Sequence, residues 1–295
     1  MKIRAIILIP FIFLFSQIVF AQQSSVEKEI RILIDSYPDL DIQLEYDFVA
    51  GDYVVNFSNP YTGKREYLFW CNGSLLPKSE LENKSQYWPI IYKYSNVLRE
   101  PSTMTESEKD RLRQFTSKSN RKNGAGTPMF FFDAVYSSHT RKSLEANLVK
   151  TTFLGKPTTV HKRIKAPLKR VEAKIRNQAK KSKEVRVFIE ELKSADAYAW
   201  RGIEGTNRKS FHSLGIAIDV LPTKYHGGEV FWAWARDKNP KGWMFTPLKR
   251  RWIPPKKVRD AFEEEGFIWG GYWAIWDNMH FEYHPELINK MKSEE

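Results

Sequence analysis

The stretch Ser210-Phe211-His212-Ser213-Leu214-Gly215-Ile216-Ala217-Ile218-Asp219 sets a histidine and an aspartate around a small apolar run. Gly215 to Leu221 is short, apolar and rich in branched residues, which predicts a buried strand. His212 then lies in the turn leading into that strand, and Asp219 points from it. A second stretch, Trp276-Asp277-Asn278-Met279-His280-Phe281-Glu282, places a carboxylate and a histidine three apart. Met279 to Tyr283 also reads as a strand, closed by Pro285. His280 need only face inward from a neighbouring strand, with Asp277 in the turn before it.

Two imidazoles and one carboxylate can hold a divalent metal, leaving a second carboxylate as a proton acceptor. Imidazole ligands favour zinc or a neighbouring transition metal over oxygen-seeking calcium. His226, in a Tyr-His-Gly-Gly loop, and His284 compete as ligands. His280 and His284 are four apart, as in helical zinc sites, but Phe281, Tyr283 and Pro285 indicate a strand ending. On a strand end the pair is expected to diverge, leaving His284 structural.

Ser-x-His-x-x-Gly-x-Ala-x-Asp followed by Trp-Asp-x-x-His-Phe-Glu resembles the zinc D-alanyl-D-alanine metallopeptidases, whose metal site is shared with lysostaphin-type endopeptidases and the hedgehog domain. Tyr198-Ala199-Trp200-Arg201-Gly202-Ile203 with Gly205-Thr206 extends the resemblance over roughly residues 160 to 287. It implies His212, Asp219 and His280 as zinc ligands and Asp277 as catalytic base. It further implies that Arg201 steadies the substrate carboxylate or developing oxyanion, and that Ser210 contacts substrate. Many carboxypeptidases of the family carry glutamate at the base, whereas the branch similar to L-alanyl-D-glutamate endopeptidases carries aspartate. Asp277 therefore tilts the expectation toward cleavage within a peptidoglycan stem peptide, beside removal of a terminal D-alanine. The alternative is a non-catalytic, zinc-stabilised wall-binding or signalling module, which has no need of Asp277 or Arg201.

Residues 1–21 read as a secretory signal: Lys2 and Arg4 precede the apolar Ala5 to Phe15, and Val19-Phe20-Ala21 offers a cleavage site. The apolar core is short for a membrane span of about 20 residues. Cleavage would leave an exported protein, periplasmic or associated with the cell envelope, without a stable membrane span. The chain carries 47 Lys and Arg against 35 Asp and Glu. Outside the cytoplasm this excess suits anionic wall polymers or ordinary solubility, and export weighs against nucleic acid. The expected partner is peptidoglycan or its muropeptide fragments. Cys71 is the single cysteine, so no internal disulfide staples this chain.

The remaining length suggests a region of unknown role, 22–150, before the metallopeptidase region, 151–295. In the former, 26–34 has helical apolar spacing, while 41–57 and 65–70 read as strands separated by turns at 50–52 and 59–63. Thr105 with Glu108 predicts a capping box, and 117–127 reads as a loop. Pro167, Leu168, Val171, Ile175 and Ala179 form a helical stripe, and 185–192 reads as a second helix. Further helices are expected over 229–236 and 258–265, with Gly266 as a stop. A strand over 196–203 should deliver Arg201. Eight of the ten tryptophans follow residue 199, and most are expected to fill the core, with Trp276 the candidate for a substrate cleft. The expected fold class is α+β, hedgehog/DD-peptidase-like: a small antiparallel sheet carrying the site, helices packed on it, and a smaller, partly β region in front.

Overall fold

The computed structural model describes residues 25–294; the signal expected at 1–21 lies outside them. The chain opens with helix α1, residues 25–36. It continues through strands β1 (Gln43–Asp47), β2 (Asp52–Ser58) and β3 (Arg65–Phe69) into α2 (Glu106–Thr116), α3 (Lys118–Asn123), α4 (Phe130–Val135) and α5 (Arg141–Glu145). A hairpin, β4 (Leu148–Phe153) and β5 (Lys156–His161), leads to α6 (Lys162–Ala179) and α7 (Lys183–Glu190). The last part comprises β6 (Leu192–Asp196), β7 (Ala217–Pro222), α8 (Trp232–Lys238), α9 (Lys256–Glu263), β8 (Phe267–Trp269), β9 (His280–Tyr283) and α10 (Pro285–Lys292). The fold is α+β with small antiparallel sheets, as the sequence implies.

Among the described residues, β1-β2-β3 form one sheet, β4-β5 a second, and β6-β7-β9-β8 a third. The third positions the site. Its central pair sets Asp219 directly opposite His280 and Ile218 opposite Phe281. Phe281 stacks on Phe262 of α9 at 3.8 Å between ring centres. The stripe on α6 buries Ile164, Leu168, Val171 and Ile175. Burying such a side chain contributes roughly 1.5–3 kcal/mol, so this face fixes the helix against the sheet.

One apolar core runs from Val26 and Leu33 of α1 through Phe131 and Phe132 of α4 to Ile218 and Phe281. The boundary expected at residue 150 falls inside β4. Polar ties join the two parts as well. Arg163 grips Asp39 with two bonds of 2.6 and 2.7 Å, and the Tyr94 hydroxyl donates to Glu263 at 2.8 Å.

Several expectations shift. The loop expected over 117–127 contains α3, because the Ser117 side chain accepts from the Asn120 amide and caps a helical turn. The strand expected at 196–203 lies earlier, as β6; its pairing with β7 ends at Asp196 opposite Asp219, and the chain beyond is irregular. The helix expected from 229 begins at Trp232, since Glu229 bridges Arg251 and Phe231 bridges Asp277 in extended form. Gly266 does stop α9, at φ +89°.

Candidate metal centre

His212 sits in a helical turn, Phe211–Leu214, that ends at Gly215 with φ +67°. A Cβ at Gly215 would meet Leu148 Cδ2 at 2.8 Å and the His161 amide at 2.9 Å, so only glycine lets the hairpin approach. At the turn's start the Ser210 side chain accepts from the His212 amide at 3.3 Å. Ser210 is buried. The structure uses its side chain as the cap of the histidine turn. Ser213, unassigned from sequence, takes the Arg201 amide at 2.9 Å and donates to the Arg201 carbonyl at 2.6 Å. This fastens the Arg201 segment beside the histidine turn.

The three expected ligands come together. His212 Nε2 lies 3.1 Å from His280 Nδ1 and 3.2 Å from an Asp219 carboxylate oxygen, and His280 Nδ1 lies 2.8 Å from the other. Their ligand atoms fall within 4.8 Å of one another. Partners on the far side of each ring fix the tautomers. His212 Nδ1 faces the Ala197 carbonyl, which can only accept, so Nδ1 carries the hydrogen. His280 Nε2 meets Glu282 at 2.8 Å. Burial alone would raise the Glu282 carboxyl, but hydrogen bonds from His280 and His284 hold it at about 2, so it too accepts.

The inward nitrogens are then lone pairs facing a carboxylate. Three acceptors with no hydrogen between them call for a positive charge. Protons can supply it, and burial at His280 is indeed outweighed by Asp219 and Glu282, which raise that imidazole well above its ordinary value. A divalent cation supplies it better, since the donor set is that of a catalytic zinc site and each histidine already has an outer partner. The residues therefore fit zinc.

Asp277 lies just before β9, half-buried, with Oδ1 out of solvent and without a hydrogen-bond partner. Burial, and then repulsion from Asp219, push its carboxyl up to about 8, while His280, the Met279 amide and Arg201 pull it back. The Arg201 side chain is exposed and its charge reaches Asp277, so an open arginine and a poised carboxyl flank the cluster.

Other expectations are corrected or refined. Trp276 is 1% exposed and packs with Trp232 and Trp243, so its ring is core and does not line a cleft. The aromatic ring at the cluster is Trp273, 5.5 Å from His280 between centres. His226 pairs with Glu191 at 2.9 Å instead of joining the ligands. His280 and His284 do not diverge: they share a face with Glu282 between them, as the two-residue period of a strand requires. His284 Nδ1 meets Glu286 at 2.6 Å, and Glu286 accepts from Tyr37 at 2.8 Å, so a buried chain of polar contacts reaches the end of α1. Alternation at 280, 282 and 284 was the available signal for Glu282; nothing local pointed to Tyr37.

A buried histidine pair and carboxylate, a second carboxyl poised to exchange a proton, and an open arginine define the class of zinc metallopeptidases. Comparison with known families agrees: residues 204–283 match the model of the D-alanyl-D-alanine carboxypeptidase family, a zinc-dependent peptidase family. Residues 29–92 match a domain of unknown function. No curated protein and no solved structure matches. Among the described residues, no helix is long and apolar enough to cross a membrane.

Proposed function

We propose that the chain hydrolyses a D-amino-acid-containing peptide bond in peptidoglycan stem peptides, outside the cytoplasm. One observation carries the reading: three facing acceptors stand beside the Asp277 carboxyl, whose Oδ1 is out of solvent and without a partner. His212, Asp219 and His280 would hold zinc, which when bound supplies Lewis acidity and acidifies water. Asp277 accepts a proton from the attacking water. It can then return that proton to the leaving amine. Arg201 offers a planar fork to a substrate carboxylate or to negative charge developing on the carbonyl oxygen. Water is thereby added across one C–N bond. Aspartate at 277, one methylene shorter than glutamate, favours cleavage within the stem over removal of a terminal D-alanine.

Mass spectrometry of purified muropeptides incubated with the zinc-loaded protein tests the proposal. Release of a stem fragment is expected. Loss of one D-alanine would keep the peptidase and correct the bond, whereas no product from any muropeptide would leave a wall-binding or signalling module.

A further inference from the structure

A groove of about 710 Å³ lies outside the candidate site, lined by none of its residues. Arg113 of α2 with Lys118, Arg121 and Lys122 of α3 line one wall; the 205–207 turn and α8 line the other. Its lining includes Arg113, Lys118, Arg121, Lys122 and Arg236, and no carboxylate residue. Arg121 and Arg236 lie over the ring of Trp232, at 4.1 and 5.0 Å from its centre. Both reach Glu204: Arg121 bonds its carbonyl and Arg236 its carboxylate at 3.0 Å. Arg236 also meets the Asp237 carboxylate at 3.1 Å, whereas Arg121 bonds a backbone carbonyl, so of the two guanidiniums packed on this ring Arg121 is the one whose bond here is to no carboxylate. Burial, and then repulsion from Arg236, lower the Arg121 pKa, so an anion brought to this wall would relieve a real cost.

The groove is tied to the candidate site by short stretches of chain. Arg201 and Gly205 are four Cα steps apart along the backbone, at most about 14 Å. On the other wall, Trp232 follows Phe231, which bridges Asp277. The volume falls in the range of sites for ligands of several hundred daltons, about 300–1,000 Å³, too large for a lone inorganic anion. Trp232, Trp243 and Met244, otherwise buried in the core, give the groove an apolar edge.

We infer that this groove receives an acidic stretch of the substrate peptide, its carboxylates meeting Arg121, Arg236, Lys118 and Lys122 while the reacting bond lies at the metal centre. The inference rests on the peptidase reading and gives residues 106–123 a part in substrate selection. Guanidinium groups grip carboxylates in bidentate fashion, and the aromatic platform holds them in place.

The test is calorimetric titration of the full chain carrying Asp277→Asn, with triglutamate and with triglutamine. Turnover plays no part, so failure of hydrolysis and failure of this site remain separate results. Triglutamate should bind about tenfold tighter or more, through charge-assisted bonds. Arg121→Gln with Arg236→Gln should erase that preference, whereas Lys249→Gln with Arg250→Gln, exposed on another turn, should leave it intact. Lys122→Gln, an exposed side chain on α3, should weaken triglutamate in part and serves if the double variant does not fold. Equal affinity for the two peptides, or equal loss in the distant pair, would reduce the effect to the general attraction of a basic protein and overturn the site. Inorganic phosphate binding as tightly as triglutamate and displacing it would overturn the peptide assignment.

Discussion

The two matched regions carry their function in opposite ways. Residues 204–283 concentrate it in two short motifs, brought together because β7 and β9 are adjacent and in register at Asp219 and His280. Residues 29–92 contain no such constellation, yet α1 and its end reach the same site from behind. Tyr37 closes the contact chain that runs through Glu286, His284 and Glu282 to His280. The difference teaches that donor atoms can be local in sequence while the support that orients them is distributed over the fold.

The comparison breaks most severely at a donor. Asp219→Ala should abolish retention of zinc through desalting, read by elemental analysis, because two imidazoles alone leave the buried charge uncompensated. Glu282→Gln should weaken zinc by about 10–100-fold, the usual effect of removing a ligand's outer partner. Competition with a chromogenic chelator reads that, and unchanged affinity would detach Glu282 from the site.

The supporting region offers a smaller effect. Tyr37→Phe leaves the Glu286 carboxylate one donor short and should destabilise the fold by about 1–3 kcal/mol, seen in chemical denaturation. With one core running through both regions, a single transition is expected; separate melting of the front region would contradict the shared core. The smallest effect is in pH. His284 is raised to about 9, since Glu286 and Glu282 outweigh burial. A raised pKa contributes stability that is complete below the unfolded value of about 6.5 and is lost as pH climbs through about 9. The denaturation midpoint of metal-free protein should therefore fall over that window, and His284→Gln should flatten the fall.

Much of this was legible in sequence. The strand bearing Asp219, the turn bearing His212 and the strand bearing His280 follow from branched apolar runs punctuated by Gly215 and Pro285. The front hairpin and the Thr105 capping box follow from turn and cap chemistry, which is local. What escaped was set by tertiary packing. Trp276 stands next to Asp277, yet its ring turns into the core against Trp232 and Trp243, because a large indole gains most there. Ser210 caps inward because the His212 amide needs an acceptor. Strand β6 ends at Asp196, where pairing with β7 ends, a limit no local propensity encodes. Tyr37 and Glu286 meet across the whole chain, so neither announces the other.

The most direct measurement compares wild type with Asp277→Asn for bound zinc and for muropeptide hydrolysis in the same preparations. Equal zinc in both, with products only from the wild type, is the predicted result. Hydrolysis retained by the zinc-loaded variant would contradict Asp277 as the base, and zinc bound by both with products from neither would contradict the peptidase itself.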